Sequence, residues 1–233
     1  MNLWIILPLA IAPGLFWLWY FYKRDEYEPE PLALLAKLFF LGMVAALVAG
    51  AAEMAAGRMV TGLLFFVIAV PVIEECSKFF MVLLFAYRDR EFDEPMDGIV
   101  YATAAALGFA TVENLDYLLS LPPDTSVLVT GILRAVLTVP AHALFGIFWG
   151  YGLGIAKFCP AKARKGIIIT SLLLGIGVHA LFNFLLEASY PGFAVLLLVI
   201  LPLAWWITET RIRKALLVMD QGPDPLDAGK KLS

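Results

Sequence analysis

Long apolar stretches alternate with short polar segments along most of this chain. A helix needs about 20 apolar residues to cross the hydrocarbon core of a bilayer. Seven runs have this character, and they lie near residues 2–22, 32–56, 59–87, 98–119, 126–157, 166–188 and 191–209. The pattern predicts an all-α, polytopic membrane bundle of about seven transmembrane helices. The fifth run is long enough to contain a break or an extra interfacial helix, so eight spans remain an alternative.

The basic residues are distributed unevenly between the loops. Clusters of Lys and Arg follow the first, third, fifth and seventh runs, whereas Arg58 is the only basic residue in the intervening loops. Cytoplasmic loops carry this excess of positive charge, so the N-terminus is predicted outside and the C-terminus inside. The first run has no basic residue ahead of it and no small-residue cleavage site behind it, which predicts a retained span.

The composition supports a membrane protein and excludes some classes of function. Hydrophobic residues make up 61% of the 233 residues and charged ones 16%, outside the usual range of soluble domains. Residues 1–209 are predicted to form one integral membrane domain. Residues 210–233 lose the apolar character and are predicted to be a short, disordered cytoplasmic tail. The net charge of −3 and the lack of a basic face argue against nucleic-acid binding.

Small residues recur at four-residue spacing in two of the runs. Such rows let helix backbones approach closely where lipid provides no hydrophobic drive for association. The rows predict helix-packing positions, which are Gly42, Ala46 and Gly50 in the second run and Gly146, Gly150 and Gly154 in the fifth.

Several ionisable and polar side chains lie inside the apolar runs. A charge at the centre of a span costs at least about 2.5 kcal/mol, so each one is a candidate for function. Counted along the helices at about 1.5 Å per residue, they fall in the middle or outer half of the bilayer, and we expect them to meet in one layer. The candidates are Glu74, Glu75 and Lys78 in the third run, Glu113 in the fourth, His142 in the fifth, and His179 and Asn183 in the sixth. Arg134 either reaches the outer surface or contacts a substrate.

These residue types suit the hydrolysis of an amide bond. Adjacent carboxylates in a low-dielectric site cannot both ionise cheaply, so Glu74 or Glu75 is a natural general base, with Lys78 as its charge partner. The neutral imidazoles of His142 and His179 can polarise a carbonyl. One helical turn beyond His179, Asn183 is placed to donate to an oxyanion or to orient that imidazole.

A metal mechanism uses the same residues differently. Zinc in hydrolases commonly takes two His and one Glu and leaves a position open, so Glu113, His142 and His179 become ligands in this alternative. The sequence has no HExxH motif and does not decide between the two mechanisms. A buried Glu/His relay also occurs in proton-coupled transporters and channels, although no inverted repeat supports that class here. A non-catalytic scaffold that binds partner helices is the third hypothesis.

The motifs, taken together and in order, resemble those of the PrsW family of intramembrane proteases. They are Glu74-Glu75-x-x-Lys78, Phe109-x-x-x-Glu113-Asn114, His142-x-x-Phe145 and His179-x-x-x-Asn183, preceded by the Lys23-Arg24-Asp-x-Tyr-Glu-Pro-Glu-Pro loop. The resemblance implies a protease of the bacterial cytoplasmic membrane that cleaves a single-pass protein, of the anti-sigma factor type, near its extracytoplasmic face in envelope-stress signalling. It leaves open whether the protease is of the glutamate or the metallo class.

A more distant similarity links the chain to the CAAX prenyl endopeptidases. Glu113 stands where their second motif has a histidine, and this departure argues against processing of prenylated proteins.

Overall fold

A computed structural model of the protein describes residues 3–25, 28–187 and 189–220. Within these ranges the chain is helical and contains no strand, which confirms the predicted all-α bundle. The described residues form the α-helices α1 (Leu3–Tyr22), α2 (Leu32–Ala56), α3 (Gly62–Leu64), α4 (Val70–Phe85), α5 (Pro95–Leu119), α6 (Val127–Val136), α7 (Thr138–Phe158), α8 (Ala161–Glu187), α9 (Ser189–Val195) and α10 (Leu201–Asp220). Two π-helical turns, Phe65–Ala69 and Leu196–Ile200, lead into α4 and α10.

Six helical segments of the described chain are long and apolar enough to cross a membrane. They are Leu3–Tyr22, Leu32–Ala56, Pro95–Leu119, Val127–Phe158, Ala161–Glu187 and Gly192–Leu217. The remaining predicted run forms α3, the first π-helical turn and α4, and it is less apolar because it carries Glu74, Glu75 and Lys78. The fifth run contains the break that its length suggested, since α6 ends and α7 begins on either side of Leu137.

Helix α5 forms the centre of the bundle and packs against α1, α2, α4, α6, α7 and α10. Glycines make this possible, because a Cβ on Gly108 would lie 1.8 Å from the carbonyl oxygen of Phe39 in α2. A Cβ on Gly98 would lie 2.3 Å from the carbonyl oxygen of Gly150 in α7. Of the predicted packing positions, Gly50 is different, because nothing lies within 4 Å of the place that a Cβ would take.

The helices that carry the paired glutamates and the first histidine begin just after local irregularities. Pro71 lies in the first turn of α4 and Pro140 in the first turn of α7. Because α4 follows the π-helical turn without a break, Pro71 removes a backbone N–H that could otherwise donate to a carbonyl of that turn. The π-helical turn before α4 is bound from α8, since the side-chain amide of Asn183 donates to the carbonyl oxygen of Phe66 at 3.1 Å.

The C-terminal part of the chain is more ordered than its composition predicted. Helix α10 continues to Asp220, so residues 210–220 are helical and do not belong to a disordered tail. Ile212 and Ala215 are fully buried, and the guanidinium of Arg211 donates to the carbonyl oxygen of Phe148 in α7 at 3.2 Å. These contacts hold the helix to the bundle beyond its apolar run. The rest of the predicted tail, residues 221–233, lies outside the described residues.

Candidate active site

The carboxylate of Glu75 lies at the middle of a buried polar cluster. Its Oε1 atom lies 2.5 Å from Lys78 Nζ and 2.9 Å from His179 Nδ1. Its Oε2 atom accepts a hydrogen bond from Trp149 Nε1 at 3.0 Å. The side chain is fully buried, so these three partners replace water around the carboxylate and fix its orientation.

Lys78 connects Glu75 to the second carboxylate and the second imidazole. Its ammonium nitrogen lies 3.5 Å from Glu74 Oε2 and 3.3 Å from His142 Nδ1. It also lies 4.4 Å from the centre of the Phe109 ring, within the range of a cation–π contact. A buried ammonium is costly without such partners, and Lys78 has two carboxylates, one imidazole and one aromatic face.

Glu113 approaches from α5 and is held from two sides. Its Oε2 lies 2.6 Å from His142 Nε2, and its Oε1 accepts a hydrogen bond from the guanidinium of Arg134 at 2.8 Å. Arg134 also donates to Asn114 Oδ1 at 2.5 Å and lies over the ring of Tyr117. Arg134 therefore anchors Glu113, one of the predicted site residues. This role differs from the two that the sequence suggested, which were reaching the outer surface and contacting a substrate.

Aromatic rings enclose the two imidazoles. The Phe145 ring stacks on His179, with centroids 4.5 Å apart and planes inclined by 18°. The two imidazole rings are 5.5 Å apart, and Phe145 also meets His142 edge to face. Asn183 shares a helix with His179, but its amide nitrogen is engaged by the π-helical turn before α4.

A cavity of about 710 Å³ lies beside this cluster, between α2, α4 and α5. Two predicted site residues, Glu74 and Glu113, lie on its wall, together with Glu53 of α2 and Asp116 of α5. The rest of the lining includes the apolar side chains Ala46, Leu47, Met54, Phe65, Phe109 and Val112. Gly50 also lies on the wall, which is consistent with the open space around it. The other predicted site residues lie behind the wall and do not line the cavity.

The ligand types present are those that zinc prefers, but their grouping differs from the predicted set. One donor atom from each of Glu74, Glu75 and His142, a carboxylate oxygen or an imidazole nitrogen, lies within 4.8 Å of the other two. Among the described residues, the predicted ligands Glu113, His142 and His179 do not form such a group, and His179 Nδ1 instead lies 2.9 Å from Glu75 Oε1. The Lys78 ammonium lies among Glu74, Glu75 and His142. Because it is positively charged, it must rotate away from these residues before a metal ion can bind them. In donor type the three residues fit zinc.

A carboxylate-lined cavity in an apolar bundle, with imidazoles and an ammonium behind its wall, is a candidate site of the membrane-embedded hydrolase class. The sequence comparisons give the particular family. A sequence model of the PrsW family of intramembrane metalloproteases matches residues 30–207. The chain belongs to this family and is an integral membrane protease, which confirms the family resemblance.

Three curated relatives illustrate how much of the chain this similarity covers. The protease PrsW of Geobacillus kaustophilus is 35% identical over 222 residues, which cover 90% of this chain and 92% of the relative. The protease PrsW of Bacillus subtilis is 34% identical, over 90% of this chain and 95% of its own. That of Clostridioides difficile is 31% identical, over 92% and 91%. No solved structure matches the chain.

Proposed function

We propose that this protease hydrolyses a peptide bond of a single-pass transmembrane protein, of the anti-sigma factor type, near its extracytoplasmic face. The observation that carries the proposal is the cavity, which offers carboxylates beside an apolar wall that suits a transmembrane segment. Its lining includes Glu53 and Gly57, at the end of α2. In the orientation predicted from the basic loops, α2 starts in the cytoplasm, so this end of the cavity faces outward.

Glu74 is the proposed general base. It is the carboxylate of the pair that lines the cavity, and its Oε2 atom is buried without a hydrogen-bond partner. The nearest cationic group, Lys78 Nζ, is 3.5 Å away. Glu113 also faces the cavity, and its Oε2 atom likewise has no hydrogen-bond partner among the described residues, but that atom lies only 2.6 Å from His142 Nε2 and its Oε1 accepts a hydrogen bond from Arg134. A carboxylate with fewer close polar neighbours is better suited to accept a proton from water.

In the proposed step, Glu74 takes a proton from a water molecule while the water oxygen bonds to the peptide carbonyl carbon. The carbon–nitrogen bond then breaks, and the proton on Glu74 passes to the leaving nitrogen. Charge is balanced throughout, because the carboxylate is regenerated at the end of the step. The aromatic rings of Phe109 and Phe65 on the cavity wall limit the access of bulk water to this reaction.

The other members of the site position these groups. Glu75 fixes Lys78 and His179 through its two short contacts, and Glu113 fixes His142. An oxyanion role for Asn183 requires its amide to leave the carbonyl of Phe66. We therefore assign Asn183 to holding the π-helical turn that sets the start of α4.

The metalloprotease description of the family implies a metal, and zinc is the proposed ion. Glu74, Glu75 and His142 are the residues that would hold it. Zinc supplies Lewis acidity that polarises the carbonyl under attack. If zinc were bound, Glu74 would be a ligand, and the role of base proposed for it in the metal-free site would fall to Glu113, the other predicted site carboxylate on the cavity wall.

A comparison of new protein N-termini in bacterial membranes tests the substrate class. Cells express the wild type, Glu74→Gln or the control Asp116→Asn at matched levels, because Asp116 is an exposed carboxylate on the same cavity wall. We expect a single-pass protein to be cut near its outer membrane boundary with the wild type and the control but not with Glu74→Gln. Cleavage that maps to multi-pass or soluble proteins would contradict the proposal.

A further inference from the structure

A second group of buried carboxylates lies at the opposite end of α5. It consists of Asp25 and Glu30, from the connection between α1 and α2, and Asp97, in the first turn of α5. One carboxylate oxygen from each residue lies within 4.8 Å of the corresponding oxygens of the other two, and none of the three residues is more than 3% exposed. Asp97 precedes Glu113 by about 24 Å along α5, so this group is separate from the catalytic cavity.

The oxygens of this group are only partly satisfied by the protein. Asp97 Oδ2 accepts hydrogen bonds from the backbone N–H groups of Asp93 and Glu94, at 2.7 Å and 2.6 Å. Glu30 Oε2 accepts the hydroxyl of Tyr101. Both oxygens of Asp25 are buried and have no hydrogen-bond partner of standard geometry among the described residues. Burying a carboxylate without partners costs desolvation free energy, so we expect the Asp25 oxygens to bind a ligand.

The negative charge of the group is not balanced by a basic side chain. In the described parts of the chain, no Lys, Arg or His forms an ion pair with any of the three carboxylates. The adjacent Arg24 pairs with Glu209, and Lys157 lies over the ring of Phe92. Burial, with added repulsion from neighbouring acids, raises the pKa of Asp25 and that of Glu30 to about 7.

We propose that Asp25, Glu30 and Asp97 bind one divalent cation of the Mg²⁺ or Ca²⁺ type. The donors are all oxygen, with no His or Cys among them, and this set selects hard cations over zinc. The cation neutralises the three carboxylates and supplies the partner that the Asp25 oxygens lack. It thereby ties the connection between α1 and α2 to the start of α5, the helix that carries Glu113.

Cation binding is measured on the purified full-length protein in lipid nanodiscs after removal of metals with EDTA. Terbium luminescence reports binding to carboxylates, and thermal unfolding with added Mg²⁺ or Ca²⁺ reports its effect on stability. We expect saturable binding of one ion per chain and a rise in Tm with one or both cations. Asp25→Asn should weaken the apparent affinity by about tenfold or more, as loss of a ligand does.

Matched variants separate this site from other carboxylates. Glu28→Gln alters an exposed acid in the same connection, and Asp116→Asn alters an exposed acid on the cavity wall; neither should change terbium affinity. In EDTA, Asp25→Asn should be at least as stable as the wild type, because it removes a repulsive buried charge. With saturating cation the order should reverse.

Two results would overturn the proposal. One is wild-type terbium affinity in Asp25→Asn, and the other is a Tm that neither Mg²⁺ nor Ca²⁺ raises. If Asp25→Asn does not fold, Glu30→Gln tests the same prediction by the same readouts. These measurements do not depend on cleavage, so their outcome is independent of the proposed substrate and mechanism.

Discussion

Removal of the charge on Glu75 should lower the thermal stability of the protein. It should leave the cavity wall unchanged, because Glu75 does not line the cavity. In Glu75→Gln the side chain keeps its size, but the Lys78 ammonium loses the carboxylate 2.5 Å away and retains Glu74 at 3.5 Å. Both Lys78 and Glu75 are fully buried, so water cannot replace the lost partner. Trp149 and His179 also lose a charged acceptor.

The expected size of this effect follows from the burial of the pair. Removing one partner of a buried ion pair typically costs about 3–5 kcal/mol. For a chain of this length, that cost corresponds to a fall in Tm of roughly 6–20 °C. A second substitution should recover most of the loss, because Glu75→Gln with Lys78→Met leaves neither charge unpaired.

Thermal unfolding in nanodiscs measures both effects. Glu187→Gln is the control, since Glu187 is exposed at the end of α8 and should leave Tm within about 1–2 °C of the wild type. Wild-type Tm in Glu75→Gln would refute the buried ion pair. A double variant no more stable than Glu75→Gln would show that the loss does not come from the unpaired ammonium.

Three further predictions concern the contact between Arg134 and Glu113, the close helix packing at Gly108 and the residues that bind the metal. Arg134→Met should lower the cleavage rate about 10–100-fold because it frees Glu113, whereas Arg134→Lys should retain part of the activity. Equal rates in both variants and the wild type would contradict a role of Arg134 in holding Glu113. Gly108→Ala should abolish folding, measured by size-exclusion chromatography in detergent, because its Cβ would lie 1.8 Å from a backbone oxygen, while Gly50→Ala should fold normally. Zinc content per chain should fall in Glu74→Gln and stay unchanged in Glu113→Gln, and the reverse pattern would favour Glu113 as a ligand.

The membrane-spanning runs and the intramembrane charges could be predicted from the sequence because both are local properties. Apolar length defines a span, and Glu74, Glu75 and Lys78 stand out within one. The break at Leu137 was likewise suggested by the length of the fifth run.

The partners of these residues depend on helix packing, which the sequence alone does not give. The spacing of Asn183 and His179 places them on one face of α8, but the amide turns to the carbonyl of Phe66 in a π-helical turn that no periodicity predicts. Trp149 was missed as a partner of Glu75, although an indole N–H far from either end of a span requires an acceptor. Glu53 was also missed; its position inside the second apolar run was the available signal.

The C-terminal helix shows a similar limit. Charges such as Arg211 lower the mean hydropathy after residue 209, which predicted a tail. Ile212 and Ala215 nonetheless fall on one face and are buried, so packing against the bundle extends α10 to Asp220.

The most direct test of the mechanism is the rate at which a reconstituted single-pass substrate is cleaved in proteoliposomes. The wild type, Glu74→Gln and Asp116→Asn are compared at equal protein amounts, with Tm measured on the same samples. We expect Glu74→Gln to lose about 10²–10⁴-fold in rate with a smaller fall in Tm than Glu75→Gln, because Lys78 keeps Glu75 2.5 Å away, and Asp116→Asn to stay within about threefold in rate. Cleavage by Glu74→Gln at the wild-type rate would remove this carboxylate from the chemistry and contradict the proposed active site.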